Sequence, residues 1–184
     1  LVLICQCNMY APRFTITNDI LKNIGEIEAS REAIESAPLI PAYEKKFQNE
    51  AMLRTVYHGT HIEGNDLSFN QARQVFEGEN IVARDRDIQE VINYRNVANY
   101  LDKIENLSSY DANLITNLHK LTCERILNLE SIGKVRETQV VVKDAQTGEI
   151  TFRPPPAIEV LVLLDEFLDW LNSSGARELH PVLR

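Results

Sequence analysis

"PAYEKKFQNEAMLRTVYHGTHIEGND", residues 41–66, is the stretch on which the reading of this chain turns. Pro41 suits the first turn of a helix, where its missing N–H would have had no partner anyway. Tyr43, Phe47 and Ala51 then recur at i, i+4 and i+8, and the helical pattern runs through "MLRTVYHGTHI" to Gly64. The closing nine residues, "HGTHIEGND" at 58–66, therefore fall at a helix C-terminus. They admit three readings: a metal site, a plain helix end, or a regulatory device.

A metal is the weakest of the three. His58 and His61 at i and i+3 could share an ion with Glu63, but no further strong ligand sits at a typical spacing, and a first-row site needs three or four. The helix-end reading places Gly64 in the left-handed conformation and lets Asn65 begin the exit loop. It does not account for Glu63. A carboxylate in the last turn faces the negative end of the helix dipole and loses by it, so it should be seeking a cation. Converging arginines also bind phosphate, so a carboxylate held among them would compete with a polyphosphate for the same positive groups.

Working outward, Thr17 is a plausible N-cap with Asp19 in the first turn, and Ile20, Ile24, Ile27 and Ile34 share one helical face until Pro38 stops the run. Ser68 and Gln71 make a capping box for a short helix ending near Gly78. Asp87 is read as the cap of a longer helix striped by Ile88, Val91, Ile92, Val97, Leu101 and Ile104. "SSYDANLITNLHKLTCERIL" (108–127) is read as another, with Leu114, Ile115, Leu118, Leu121 and Ile126 inward. From Gly133 the texture changes. "RETQVVVKDAQTGEITFR" (136–153) joins a β-branched run to an alternating one through a polar turn at Gly148, the pattern of a β-hairpin. "PPP" at 154–156 leads into a helix from about 157 to 172 that is more apolar than one buried stripe requires. Such a helix expects neighbours on two sides. The fold class is mainly α, a helical bundle with one β-hairpin.

Composition narrows the partners. Hydrophobic residues at 44% and charged ones at 25% are ordinary for a globular domain. A net charge of -8, from 19 basic against 27 acidic residues, argues against nucleic acid, which needs a clustered positive field. No run approaches the ~20 apolar residues of a membrane helix. Cys5, Cys7 and Cys123 form no CxxC pair and cannot all pair with one another, so a cytoplasmic setting is expected. No phosphate-loop, dinucleotide or nucleophile-elbow motif occurs. Cys123 is read as a core thiol, His119 as a packed or capping histidine, and His180 as part of the entry to a further helix. The start at Leu1 rather than Met fits a trimmed or incomplete copy of a larger protein.

From about Phe14 to Arg184 the chain resembles the Fic family, enzymes that typically transfer AMP from ATP to a protein hydroxyl. The resemblance rests on "IEGN" (62–65), "QEVINY" (89–94), "LHKL" (118–121), "GKVRETQVVV" (133–142) and "LHPVLR" (179–184), in that order. It implies a Fic-type helical bundle with an inhibitory helix of pattern [S/T]xxxE[G/N], whose glutamate sits against an active-site arginine and obstructs the γ-phosphate of ATP. Glu63 and Gly64 match the final pair; the hydroxyl position falls on Gly59, with Thr60 one place late. The hairpin is similar to the family's flap, which borders the nucleotide and holds the target segment as an added strand. That assigns Val140, Val141, Val142 and Lys143 to the flap.

Residues 1–184 then read as one incomplete domain. A helical region over 14–106 carries the inhibitory helix at about 42–64, and the first part of the core over 107–184 carries the flap at about 138–153. Relatives carry HPFx[DE]GN[GK]RxxR further on, which would supply the general base, the metal-holding acid and the phosphate-binding turn. It is absent from these 184 residues, so no catalytic and no metal-ligating residue is expected in this chain. ATP and Mg2+ are implied for the complete protein, without tight binding to this chain alone. The partner is a target protein docking on the flap, with no nucleic acid and no membrane; a homo-oligomer stays open. Two other readings stand beside this one: a non-enzymatic regulatory module acting on another chain, and a Fic relative that transfers a different group.

Overall fold

The computed structural model describes residues 10–38, 40–104 and 108–184; Cys5 and Cys7 lie outside them. The first helix, α1 (Asn18–Glu35), starts where Thr17 predicts, its hydroxyl accepting the Ile20 N–H at 3.3 Å. The apolar face of α1 is not covered by any of the described residues. No residue of this helix is buried, and none of the other described elements packs against it. Periodicity reports which face is apolar but not whether anything meets it. Among the described residues a side-chain contact from Glu28 to His180, 3.0 Å long, ties α1 to the rest.

Helix α2 (Pro41–Ile62) opens on its proline. Its first half is equally bare, with Tyr43 and Phe47 exposed, whereas its second half enters the core. There Val56 meets Leu67, Ala72, Val75 and Val91, all buried, with Met52, Tyr57, Phe76, Ile88, Ile92 and Tyr94 packed around them. Ala72 and Val75 come from α3 (Phe69–Glu77), which has the predicted capping box at Ser68 and Gln71 and ends on left-handed Gly78. The remaining apolar partner, Val91, lies on α4 (Asp85–Asp102).

The start of α4 differs from expectation. Arg84, not Asp87, is the residue before the helix, and Asp87 is a buried side chain inside its first turn. Two acidic residues, Asp85 and Asp87, suit the first turn equally well by charge. What places Asp87 inside is a two-pronged ion pair with Arg84, at 3.0 and 2.6 Å. Arg95, further along, donates to the carbonyl of Phe76 at 2.6 Å and so occupies the C-terminal end of α3.

Helix α5 (Ala112–Cys123), capped by Asp111, is shorter than the 108–127 expected, and Arg125 takes a left-handed φ of 58°. The reason lies on α4. The buried amide of Asn93 donates to the carbonyls of Thr122 and Glu124 at 2.9 and 2.8 Å, satisfying groups that a continuing helix would have paired with its own next turn. After the hairpin, a single 3-10 turn (Ala157–Glu159) leads into α6 (Val160–Asn172). Leu168 buries the inner face of α6, and Asn172 clips it to Tyr110 through two 2.8 Å bonds. Tyr10 stands edge-on to Phe167 and Trp170. Ile158, Leu161 and Val162 stay exposed, so the second neighbour expected for this helix is not among the described residues. A five-residue helix, α7 (Ser174–Glu178), follows; the capping serine in "SSGARE" was its only signal. Among the described residues no helix is long and apolar enough to cross a membrane.

Candidate functional site

The end of α2 is built by backbone first. Gly64 has φ 88°, its N–H reaches the His61 carbonyl at 3.1 Å, and the Asn65 N–H returns to Thr60 at 3.2 Å. These two bonds are the paired closure of a helix that ends on a left-handed glycine, as the sequence predicts. Residues on both sides of Glu63 are then locked. Thr60 is buried, and its hydroxyl donates to its own helix at Val56, 3.0 Å away, so it is turned away from the turn. Asn65, also buried, does much more than start the exit loop. Its amide donates to the Asp87 carbonyl at 2.9 Å and to Glu90 Oε2 at 3.0 Å, while its Oδ1 accepts the Leu67 N–H at 3.1 Å.

Glu63 stands between these anchors, exposed, and makes no ion pair among the described residues. The nearest cation to the turn, Arg84, is committed elsewhere. It holds Asp87, reaches Asp66 at 3.7 Å and touches the Gly64 carbonyl at 3.4 Å. The carboxylate thus lies on a hydrogen-bonded turn with nothing of opposite charge paired to it among the described residues.

Gly59, the departure from the hydroxyl pattern, has a geometric cause. A Cβ there would lie 2.7 Å from one ring carbon of Tyr94 and 2.8 Å from the next and from the phenol oxygen. The Tyr94 ring rests on the bare backbone of α2. All of "QEVINY" is accordingly structural on α4: Gln89 orients Asn93, Glu90 holds Asn65, Val91 fills the core with Ile92 packed against it, Asn93 ends α5, and Tyr94 seats α2. Read along the chain, the motif carries no sign of these roles. The buried position of two asparagines among apolar neighbours, visible only after folding, is what reveals them.

The histidines are not brought together. His61 donates from Nδ1 to the Asn65 carbonyl at 3.0 Å and stacks on Tyr57, whereas His58 is exposed with its ring edge-on to the same tyrosine. Among the described residues no three His, Cys, Asp or Glu side chains converge as metal ligands. His119 accepts the Gly133 N–H at 3.1 Å and pins the loop after α5. Burial pushes the Cys123 thiol up, away from reactivity.

The hairpin forms where the sequence places it but is shorter. Its strands are β1 (Val142–Lys143) and β2 (Ile150–Phe152), antiparallel, with Val142 opposite Phe152 and Lys143 opposite Ile150. Val140 and Val141 precede the paired segment. Asp144 makes the turn: its Oδ1 accepts the N–H groups of Thr147 and Gln146 at 2.7 and 2.8 Å, which hold its carboxyl below the usual range, and Gly148 has φ 73°. Arg136 and Gln139 tie the base of the hairpin to the carbonyls of Pro155 and Pro154. Val140, Val142, Ile150 and Phe152 are all exposed, and both strands keep a free edge among the described residues. An edge of this kind offers backbone hydrogen bonds to an extended peptide.

A helical bundle with this inserted hairpin defines the Fic-type fold. The chain superposes on a Fic family protein from Desulfovibrio desulfuricans G20 with a TM-score of 0.72 at 25% identity, covering 94% of this chain and 50% of that one. Fic-1 from C. elegans shares the fold, with a TM-score of 0.68 at 20% identity over 91% of this chain and 49% of the other. In sequence, the protein adenylyltransferase Fic of Culex quinquefasciatus is 27% identical over 169 residues, 88% of this chain and 31% of that protein. Its namesake in Nematostella vectensis is 28% identical over 168 residues, 86% and 36% of the two chains. No family model matches the chain. In fold and in sequence the chain is similar to Fic family proteins, and it spans about a third of the length of the curated relatives it matches.

Proposed function

We propose that this chain is the N-terminal and central part of a Fic-type protein adenylyltransferase, with Glu63 as a built-in inhibitor and the hairpin as the docking strand for the target. In the reaction, the oxygen of a target hydroxyl bonds to the α-phosphorus of ATP, the bond to the departing pyrophosphate breaks, and the hydroxyl proton passes to a base outside these residues. The observation that carries the reading is the state of Glu63: an exposed carboxylate, without an ion-pair partner among the described residues, on a turn held from both sides by Thr60 and Asn65. A group placed so firmly at the negative end of a helix costs stability, and an arginine elsewhere that otherwise receives the γ-phosphate supplies the compensating partner.

The hairpin supports the second half of the reading. Its exposed valines and free edge suit an extended segment that adds as a strand, with Val140, Val142 and Lys143 along its path and Val141 half-buried behind them.

The test is labelling with α-phosphate-labelled ATP and magnesium. Residues 1–184 alone are expected to label no protein. In the complete protein Glu63→Gly is expected to raise AMP transfer to a target or to itself. Unchanged transfer removes Glu63 from the inhibitory role, and labelling by residues 1–184 alone overturns the assignment of the chemistry to other residues.

A further inference from the structure

We propose that Tyr94 is the positioning residue of the inhibitory turn: its ring, lying against the bare backbone at Gly59, sets where α2 sits on α4 and therefore where Glu63 is presented. This rests on the inhibitory reading of Glu63 and adds the element that holds it. Gly59 and Glu63 are one turn apart, at i and i+4, and so lie on the same face of α2, one above the other. The ring atoms of Tyr94 stand 2.7–2.8 Å from the place a Cβ would take at position 59. Nothing larger than hydrogen fits there while the ring stays in place. Glycine in a helix interior is otherwise unfavourable relative to alanine, so its presence in the last turns of α2 needs a packing reason, and the ring supplies it.

The geometry makes the seat a two-point mount. Tyr94 presses on α2 one turn before Glu63, and Asn65 is bonded to Asp87 and Glu90 two residues after it. Both points come from the same helix, α4, so the two contacts that flank the carboxylate along the chain share one reference. The phenol oxygen of Tyr94 reaches within 2.8 Å of the place a Cβ would take at position 59. Removing the ring frees the upper point and leaves the lower one, so the turn stays formed while its placement loosens.

The test is a double-mutant cycle between positions 59 and 94, read in two ways. On residues 1–184, Gly59→Ala is expected to lower the melting temperature in the presence of Tyr94 and to raise it in a Tyr94→Ala background, because alanine is the better helix former once the ring is gone. Additive effects of the two substitutions overturn the seat. In the complete protein, Tyr94→Ala is expected to raise AMP transfer about tenfold, the release that corresponds to ~1.4 kcal/mol of lost placement. Tyr94→Phe, which keeps the ring, is expected to behave as the parent. If Glu63→Gly raises transfer and Tyr94→Ala does not, the positioning role falls and the inhibitory reading stands. If Glu63→Gly has no effect, the inhibitory reading falls, and with it the regulatory purpose of a seat that the melting data alone then confirm or reject.

Discussion

Asn65 donates to Glu90 across 3.0 Å, joining the turn after α2 to the second turn of α4, and Glu90 in turn receives Arg86 at 2.8 Å. The same amide serves the Asp87 carbonyl, and its oxygen holds the Leu67 N–H. One buried side chain therefore ties together a helix end, a loop and a neighbouring helix. Asn65→Ala leaves the Leu67 N–H unpaired in the interior and is expected to cost about 2–3 kcal/mol. Asn65→Asp sets a carboxylate against Glu90 and should cost at least as much. Urea denaturation of the three proteins checks both, and an alanine variant as stable as the parent would show that the network is replaced by water without loss.

Gly64 tests the turn separately from the packing. At φ 88° the position suits glycine, yet a Cβ there would meet nothing within 4 Å. Gly64→Ala is thus expected to lose only the backbone term, about 1 kcal/mol, with Gly64→Asn losing less. A much larger loss in a thermal melt would mean that the carboxylate turn is more crowded than the structure shows.

The hairpin turn should be sensitive to acid. The N–H groups of Thr147 and Gln146 lower the carboxyl of Asp144 in the folded chain, so its contribution is fully present above the ordinary carboxylate value and is lost as pH falls through the lower folded one. Amide resonances of Gln146 and Thr147 are expected to shift together in that acid window. In Asp144→Asn, whose neutral oxygen still accepts the same bonds, they should not move.

The Arg73–Glu50 pair behaves in the same sense between α3 and α2. Two bonds of 2.8 and 3.1 Å to Arg73 lower the Glu50 carboxyl, so acid below the ordinary range weakens this clamp as well. Glu50→Gln should flatten the acid limb of the stability profile while changing little at neutral pH, because the pair is partly exposed and screened.

Cys123 should be slow to alkylate. Burial raises its pKa, so the thiolate fraction at neutral pH is smaller than that of a free cysteine. Iodoacetamide labelling of the folded chain is expected to lag behind that of the same chain in denaturant. Equal rates would place this thiol in the open.

Much of this protein is decided by local chemistry and is legible along the chain. Thr17, Ser68 with Gln71, and Pro41 mark helix starts because a cap or a missing N–H acts within one turn; Gly64 and Gly78 mark ends because a left-handed residue favours glycine wherever it falls. The hairpin follows from β-branched residues flanking a polar turn. Order and spacing of the short motifs also point to the Fic family without a structure. What only the tertiary structure decides is which apolar faces meet and which polar side chains are enclosed. The stripe of α1 looks like a core face and is open among the described residues; Asp87 looks like a cap and is the buried partner of Arg84; α5 stops early because Asn93, 29 and 31 residues before them, takes the carbonyls of Thr122 and Glu124. Gly59 looks like a flaw in a pattern until Tyr94 is seen lying on it. Periodicity and capping act over a few residues, whereas burial and long-range hydrogen bonds depend on what the chain brings back from far along its length.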